Sequence, residues 1–543
     1  MQAMLRSSKY RRIPVALALS VLMLAVACGQ RTQGSSSATP TTGSTLPTSG
    51  GGTTGTGTTT GGGTSTTGGG TTTTGGGGTT TGGGTTTGGG GTSTGGGGTS
   101  TGGGGTSSGG GTGGSGGSTG GGGGGPSADD QDKAAKRSEE LEKHLPKVHL
   151  FSAKENTIGI TDKQITLCTH GALVLADAFD TKVPDLNVFW DWVNDHGGIY
   201  GRKVVMNYTD DKYTANTAVQ AAEQCKAMNP FIMFGGIGFD QIPAVRTWAE
   251  QNHQLYIHHI ASEDLTKKYS FSYQPSVEQV GAMAAQWIIK AHRTQKIGVV
   301  YRNSENWEPG HRTFKDAVEK AHVNVVADLP VTQNQAVYSQ QIAELQSQGA
   351  EVVFLWENAL AADEMIAQAK NQGYAPTWVI FAFNQTTDTL DDQALDPPLE
   401  GLTTWTPFSP GMTGGPYAAY SDMLQEFNAQ LKKYGSGSKG NDVLWTTWLA
   451  WYQTYQLLLD CGPDCTRNEI VALLISGVEQ TISTTAACPI DFSQNGHVAG
   501  VFGDVVQTFR RPKGSKEPVG WRPIPGEHCA LKVTPTRVRP IQV

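Results

Sequence analysis

Between Leu186 and Cys225 the apolar period of the chain changes twice, and this change does most to narrow the folds open to it. Val188, Phe189, Trp192 and Val193 fall at spacings of three and four, the stripe of a helix packed on a core. Asn194, Asp195 and His196 then run into Gly197 and Gly198, a helix stop in which glycine takes a left-handed conformation. After a turn at Gly201, residues 203–208 are short and apolar enough for a buried strand, and the carboxylates Asp210 and Asp211 follow. Thr214 and Asn216 are placed to cap a second helix over 217–228. Helix, turn, strand, loop and helix in this order predict an α/β fold with a parallel sheet.

The rhythm continues. Strands are expected at 165–168, 204–208, 231–234 and 255–259, with helices between them; a Tyr-Gln-Pro junction at 273–275 breaks the series. It restarts with a helix at 277–291 and alternates through strands at 297–301, 323–329, 351–355 and 378–382. Two similar runs in about 375 residues exceed what a single core usually supports, so two lobes are expected. After residue 405 the pattern turns helical, at 418–434 and 443–460, before a strand at 501–508.

Most of the 74 glycines lie before residue 127, so whole-chain averages describe no single part of the protein. Residues 1–28 read as an export signal: Arg6, Lys9, Arg11 and Arg12 precede an apolar run at 15–26 that is short for a membrane span. Residues 29–150 read as a Gly/Thr/Ser-rich tether, almost without apolar side chains to offset the entropy of ordering it, and 129–147 as a short solvated helix within it. A coil of about 95 such residues has a root-mean-square span of roughly 50–60 Å. The folded domain is then 151–532, and 533–543 a tail. A net charge of −7 gives no basic field for nucleic acid.

Apart from Cys28 the cysteines form an even set in an exported chain, Cys168, Cys225, Cys461, Cys465, Cys488 and Cys529, which favours disulfides over metal ligands. Cys461 and Cys465 can close a small loop; Cys168 with Cys225 and Cys488 with Cys529 are candidate pairs among several. His258 and His259, as strand neighbours, point to opposite faces and do not share a metal, so no metal or cofactor is expected.

The stretch Asn194-Asp-His-Gly-Gly-Ile-Tyr-Gly-Arg202, with Asp210-Asp211 and an Ala-rich helix behind it, resembles the branched-chain amino-acid-binding protein family. Further pieces occur in that family's order: Gly235-Gly236, Glu263-Asp264-Leu265, residues 295–301 and 349–354, Glu400-Gly401-Leu402, and residues 491–496. Its members are extracytoplasmic solute receptors of ABC importers with the type I periplasmic-binding fold. The resemblance implies two doubly wound lobes joined by a three-strand hinge, with crossings near Tyr273, Thr404 and Phe492. Lobe 1 would hold about 155–273 and 405–491, and lobe 2 about 274–404 and 492–531. Ala25-Val-Ala-Cys28 likewise resembles a lipoprotein signal, implying that Cys28 is lipidated and anchors a monomeric receptor on the extracytoplasmic face of a membrane. The partners implied are a small-molecule ligand and the permease and ATPase subunits of an importer.

Ligands of this family sit between the lobes, at strand carboxyl ends and helix N-termini. The candidate contacts in lobe 1 are therefore His170, Phe239, Asp240, and Ile260, Ala261 and Ser262, whose backbone and hydroxyl fall where the family meets a ligand's polar end. In lobe 2 they are Trp307, Trp356 and Asn384. The sequence departs from the amino-acid binders where they present serine after the third strand; here Gly238-Phe239-Asp240-Gln241 stands there, with Asp240 read chiefly as a helix N-cap. The ligand expected is thus an amino acid, an amide or a carboxylate-like molecule. H-E-x-x-H, P-loop and G-x-S-x-G motifs are absent from the domain, and Asp210 and Asp211 are read as loop and cap residues at the cleft's edge, so an enzyme is not expected. A ligand sensor of the same fold, signalling to a membrane partner, is the alternative, and a wall-associated structural protein has the tether in its favour.

Overall fold

The computed structural model describes residues 128–532 except 180, 237, 239, 259–266, 274, 334, 382–400, 407–419, 439, 477–501 and 511–518. The export-signal, lipidation and tether expectations up to residue 127, and the tail, lie outside the described residues, as do Cys28 and Cys488.

The described chain opens with helix α1 (Ala128–Glu142). Lobe 1 is then built on a five-stranded, wholly parallel sheet ordered β2-β1-β3-β4-β5. Its strands are β1 (Gln164–Gly171), β2 (Lys203–Asp210), β3 (Ile232–Phe234), β4 (Tyr256–His258) and β5 (Ser270–Ser272). The helices between them are α2 (Val188–Asp195), α3 (Ala215–Ala227) and α4 (Gln241–Asn252). As the spacing predicts, α2 buries Val188, Phe189 and Val193, but the fourth buried residue is Trp190, and Trp192, expected on that stripe, is only partly buried against the core. Thr214 caps α3 by accepting from the Thr217 amide.

The second run begins at Ser276, which makes a reciprocal capping box with Gln279 at the start of α5 (Val277–His292). There follow β6 (Ile297–Arg302), α6 (Glu308–Lys320), β7 (Val325–Val331), α7 (Ser339–Ser347), β8 (Val352–Trp356), α8 (Ala359–Asn371), β9 (Thr377–Ile380) and β10 (Thr403–Thr406). Every residue of β8 is buried, as a central strand covered on both faces requires. The chain then returns to lobe 1 with α9 (Tyr420–Tyr434), α10 (Asp442–Cys461) and α11 (Arg467–Ser476). Trp448 of α10 meets Phe189 edge-to-face at 5.4 Å, and Arg467 of α11 donates to the carbonyls of Phe231 and Pro230 below β3. It ends in lobe 2 with β11 (Phe502–Arg510), β12 (Val519–Pro523) and β13 (Leu531–Lys532). The lobe 2 sheet runs β12-β11-β10-β9-β8-β6-β7, with β13 on β11. Its five strands β7, β6, β8, β9 and β10 are parallel, as expected, and β11, β12 and β13 extend the sheet with antiparallel pairs. The strand that returns from lobe 1 reaches β10 from the opposite direction, and β12 then runs back along it.

Disulfides join Cys168 of β1 to Cys225 of α3 (Cα–Cα 5.6 Å) and Cys461 to Cys465 (5.0 Å); Cys529 is also disulfide-bonded. Among the described residues no helix is long and apolar enough to cross a membrane.

Helix α1 is docked, not solvated. Gln131 Nε2 donates to the Gly198 carbonyl at 3.1 Å, its Oε1 accepts from the Tyr200 amide at 2.7 Å, and Arg137 pairs with the buried Asp460 carboxylate at 2.9 Å. The turn it grips also holds the end of α10, through the Tyr200 hydroxyl on the Leu459 carbonyl at 2.7 Å. Gly198 has φ 74°, and a Cβ there would overlap the Arg202 carbonyl, which explains the glycine. This turn leads into the amino end of β2, so α1 sits at the edge of lobe 1 opposite the strands' carboxyl ends.

Candidate functional site

At the carboxyl end of β1, His170 is fully buried. Its Nδ1 lies 2.9 Å from Asp211 Oδ2 and its Nε2 2.7 Å from the Tyr256 hydroxyl. The carboxylate holds the proton on Nδ1, leaving Nε2 to accept from the phenol. Burial raises the Tyr256 pKa well above its usual value, and Asp211 raises it further, so the phenol stays a donor. His170, a candidate ligand contact, is engaged at both ring nitrogens inside lobe 1.

What it holds in place is Asp211, which is itself fully buried. Asp211 Oδ1 accepts from the Tyr213 amide at 2.9 Å, and Asp210 accepts from the Lys212 amide at 3.0 Å. These side-chain turns support two successive left-handed residues, Lys212 (φ 49°) and Tyr213 (φ 57°). Such a conformation costs roughly 1–2 kcal/mol per residue without glycine, so it persists where neighbours over-determine it. Here it turns Tyr213 toward Gly238 after β3: a Cβ at Gly238 would stand 3.3 Å from Tyr213 Cε2.

From lobe 2, Arg302 ends the buried strand β6 and pairs with Glu357, just beyond β8; both are almost fully buried. Arg302 Nε is 3.1 Å from Glu357 Oε2, and the guanidinium lies 4.6 Å from the centre of the Trp307 ring. Burial raises the Glu357 pKa, while Arg302 acts against the rise. The Glu357 carboxylate thus has its counter-charge within lobe 2. Trp307 is buried and precedes α6; its carbonyl accepts from Trp356 Nε1 at 2.9 Å. Trp356 is fully buried, packed against Phe354, and braces the wall from behind.

The two lobes meet where these loops converge. Asn306 Nδ2, in the loop after β6, donates to Asp240 Oδ1, after β3, at 2.8 Å. Asp240 occupies the N-cap position of α4, but its side chain makes no capping hydrogen bond, which corrects the capping role expected of it. The interlobe bond uses that carboxylate instead. Tyr213 stands at the same seam: its pKa is raised by burial, and Arg302, Glu357, Asp240 and Asp211 all act on its phenol. Phe239, Ile260, Ala261, Ser262 and Asn384 lie outside the described residues.

Three residues of the seam, Tyr213, Arg302 and Asn306, escaped the sequence reading. A charged residue closing an apolar strand, as Arg302 does, was the legible signal. Nothing in the local pattern marks Tyr213, because its placement depends on His170 and Tyr256 from other strands.

Comparison with known proteins agrees with this architecture. A curated relative, Leu/Ile/Val-binding protein homolog 3 of Brucella melitensis, is 26% identical over 166 residues, 30% of this chain and 45% of its own length. The chain thus matches less than half of that relative. Among solved structures, a fatty acid ABC transporter substrate-binding protein from Thermomonospora curvata has TM-score 0.56 at 17% identity, covering 70% of this chain and 96% of its own. A branched chain amino acid ABC transporter from Thermus thermophilus with bound valine has TM-score 0.54 at 15% identity, covering 67% and 96%. These likenesses concern the fold. A profile of periplasmic binding proteins matches residues 187–507, more than half of the sequence, and the chain belongs to the periplasmic binding protein family.

Proposed function

We propose that this protein is the solute-binding receptor of an ABC importer, capturing a small organic ligand between its lobes and presenting it to the permease and ATPase subunits. The observation that carries the reading is the seam itself, where loops from strand carboxyl ends of both lobes meet at the Asp240–Asn306 hydrogen bond, with Tyr213 packed by Gly238 on the lobe 1 side and the Arg302–Trp307 stack on the lobe 2 side. The receptor binds and does not turn over its ligand. Residues 151–532 form the receptor domain, with lobes divided near 273, 404 and 492. Cys28 carries the lipid anchor after cleavage between Ala27 and Cys28, and 29–150 is the tether.

Ser262, with the backbone of Ile260 and Ala261, meets the polar end of the ligand; Phe239, Asp240, Trp307 and Asn384 complete the contacts. His170 and Trp356 hold the walls. The guest is an amino acid, an amide or a carboxylate-like molecule. The internal Arg302–Glu357 pair favours one other than a simple branched-chain zwitterion, because both charges of the pair are already matched. Mass spectrometry of small molecules released from the purified full chain tests this reading, followed by calorimetry with what is found. One defined organic solute bound at micromolar affinity is expected. A chain that releases nothing and binds no member of an amino-acid, amide and carboxylate panel overturns the function, and leucine, isoleucine or valine at micromolar affinity overturns the ligand assignment.

A further inference from the structure

The Asp240–Asn306 hydrogen bond joins the lobes directly, protein to protein. Three features make it a built contact. Asp240 stands at a helix N-cap with its side chain turned away from the cap that a residue of its type ordinarily makes. Tyr213 reaches the same seam from a left-handed pair of residues, held there by Asp210 and Asp211. Asp211 in turn is fixed by His170, and His170 by Tyr256, so the loop rests on the carboxyl end of β1 and on the first residue of β4. Facing them, Asn306 lies on the loop that runs from Arg302 to Trp307, which the Arg302–Glu357 pair and the stacked guanidinium hold to the end of β8. Each side of the contact is thus braced within its own lobe.

We propose that Asp240 and Asn306 form an interlobe latch that stabilises the closed arrangement without a ligand, so that the receptor samples its closed state before capture. A latch of this kind raises the closed fraction of the empty receptor and strengthens apparent affinity for any ligand that binds the closed state. It lowers, by the same factor, the contrast between empty and loaded receptor.

The test needs no ligand, so its outcome is independent of the guest's identity and of transport. Nitroxides are placed on the full chain by Asn216→Cys in the first turn of α3 and Leu360→Cys in the first turn of α8, both exposed, in a Cys28→Ser background. Electron–electron double resonance then reads the interlobe distance. The unliganded chain is expected to show a populated short distance. Asn306→Ala should shift the open-to-closed ratio toward open by about 3- to 10-fold, the effect of one net hydrogen bond. Asn306→Asp should open the lobes further by opposing two carboxylates. Combining Asn306→Asp with Asp240→Asn restores a donor and an acceptor in exchanged positions and should restore the short distance. Lys315→Ala, on the outer face of lobe 2, serves as the control and should leave the distribution unchanged. An unliganded chain without the short distance, variants that leave the distribution unchanged, or a double exchange that fails to restore it, would each overturn the latch.

Discussion

Removing the Cys168–Cys225 disulfide should destabilise the domain more than removing the Cys461–Cys465 bridge, and the structure sets the scale of the difference. The first bond ties β1 to α3 across 57 positions, the second closes a loop of 4. Loop-closure entropy in the unfolded chain gives about 4 kcal/mol for the long loop and about 2 kcal/mol for the short one. Replacing both members of the first pair by alanine also empties space in a fully buried site, adding about 1 kcal/mol per lost sulfur. Thr209 loses its 3.4 Å contact with Cys225 Sγ, but its hydroxyl still donates to the Ala221 carbonyl at 3.1 Å, so no further loss follows from it. The expected totals are about 5–6 kcal/mol for Cys168→Ala/Cys225→Ala and about 2–4 kcal/mol for Cys461→Ala/Cys465→Ala. Domains are typically stable by about 5–15 kcal/mol, so the first variant approaches the threshold of folding. Urea unfolding followed by tryptophan fluorescence measures both, and the slope should steepen for the first variant because its unfolded chain is less compact. A loss below about 1 kcal/mol, or a larger loss for the short-loop variant, would refute the reasoning.

Burial raises the Asp460 carboxyl from 3.8 to about 6, with Arg137 opposing the shift. A carboxyl raised on folding contributes its full stability below about 4 and loses it as pH rises through about 6. Asp460→Asn should therefore remove a fall of about 2–3 kcal/mol across that window, read as the difference in urea midpoint between variant and parent from pH 4 to 8. At the turn gripped by α1, Gly198→Ala should cost more than about 2 kcal/mol, since its Cβ would overlap the Arg202 carbonyl; Gly197→Ala, at φ 95° with open space around it, should cost about 1 kcal/mol. Thermal melts of the pair check the ordering. Arg467→Met strips the Phe231 and Pro230 carbonyls of their buried donor and should cost about 2–4 kcal/mol in urea unfolding, with loss of soluble protein at elevated temperature.

Local patterning made the α/β alternation readable because each buried strand and each capped helix carries its own signal: Val352–Trp356 is apolar throughout, and Thr214, Ser276 and Asn358 sit at helix starts as caps. The antiparallel strands of lobe 2 were less legible, since direction is set by the route of the return from lobe 1 and leaves no trace in a short run such as 502–510. At the seam the sequence placed Asp240 and Trp307 in the right loops and misjudged how Asp240 is used. A carboxylate before a helix reads as a cap until an amide from residue 306 takes it. His170 looked like a loop residue because Asp211 and Tyr256, its two partners, are 41 and 86 positions away. Helix α1 read as solvated since its faces are mostly polar; its grip comes from Gln131 and Arg137 meeting backbone and carboxylate groups, which no apolar stripe announces.

That grip also decides which half of the domain takes up a force applied at its amino end. Helix α1 is fastened to the turn before β2 and to α10, both in lobe 1 and both at the end of the sheet away from the cleft. Any pull arriving through residue 128 is therefore borne by lobe 1. Among the described residues lobe 2 makes no such contact with α1, so a load entering there falls first on lobe 1 and passes to lobe 2 across contacts such as the Asp240–Asn306 hydrogen bond.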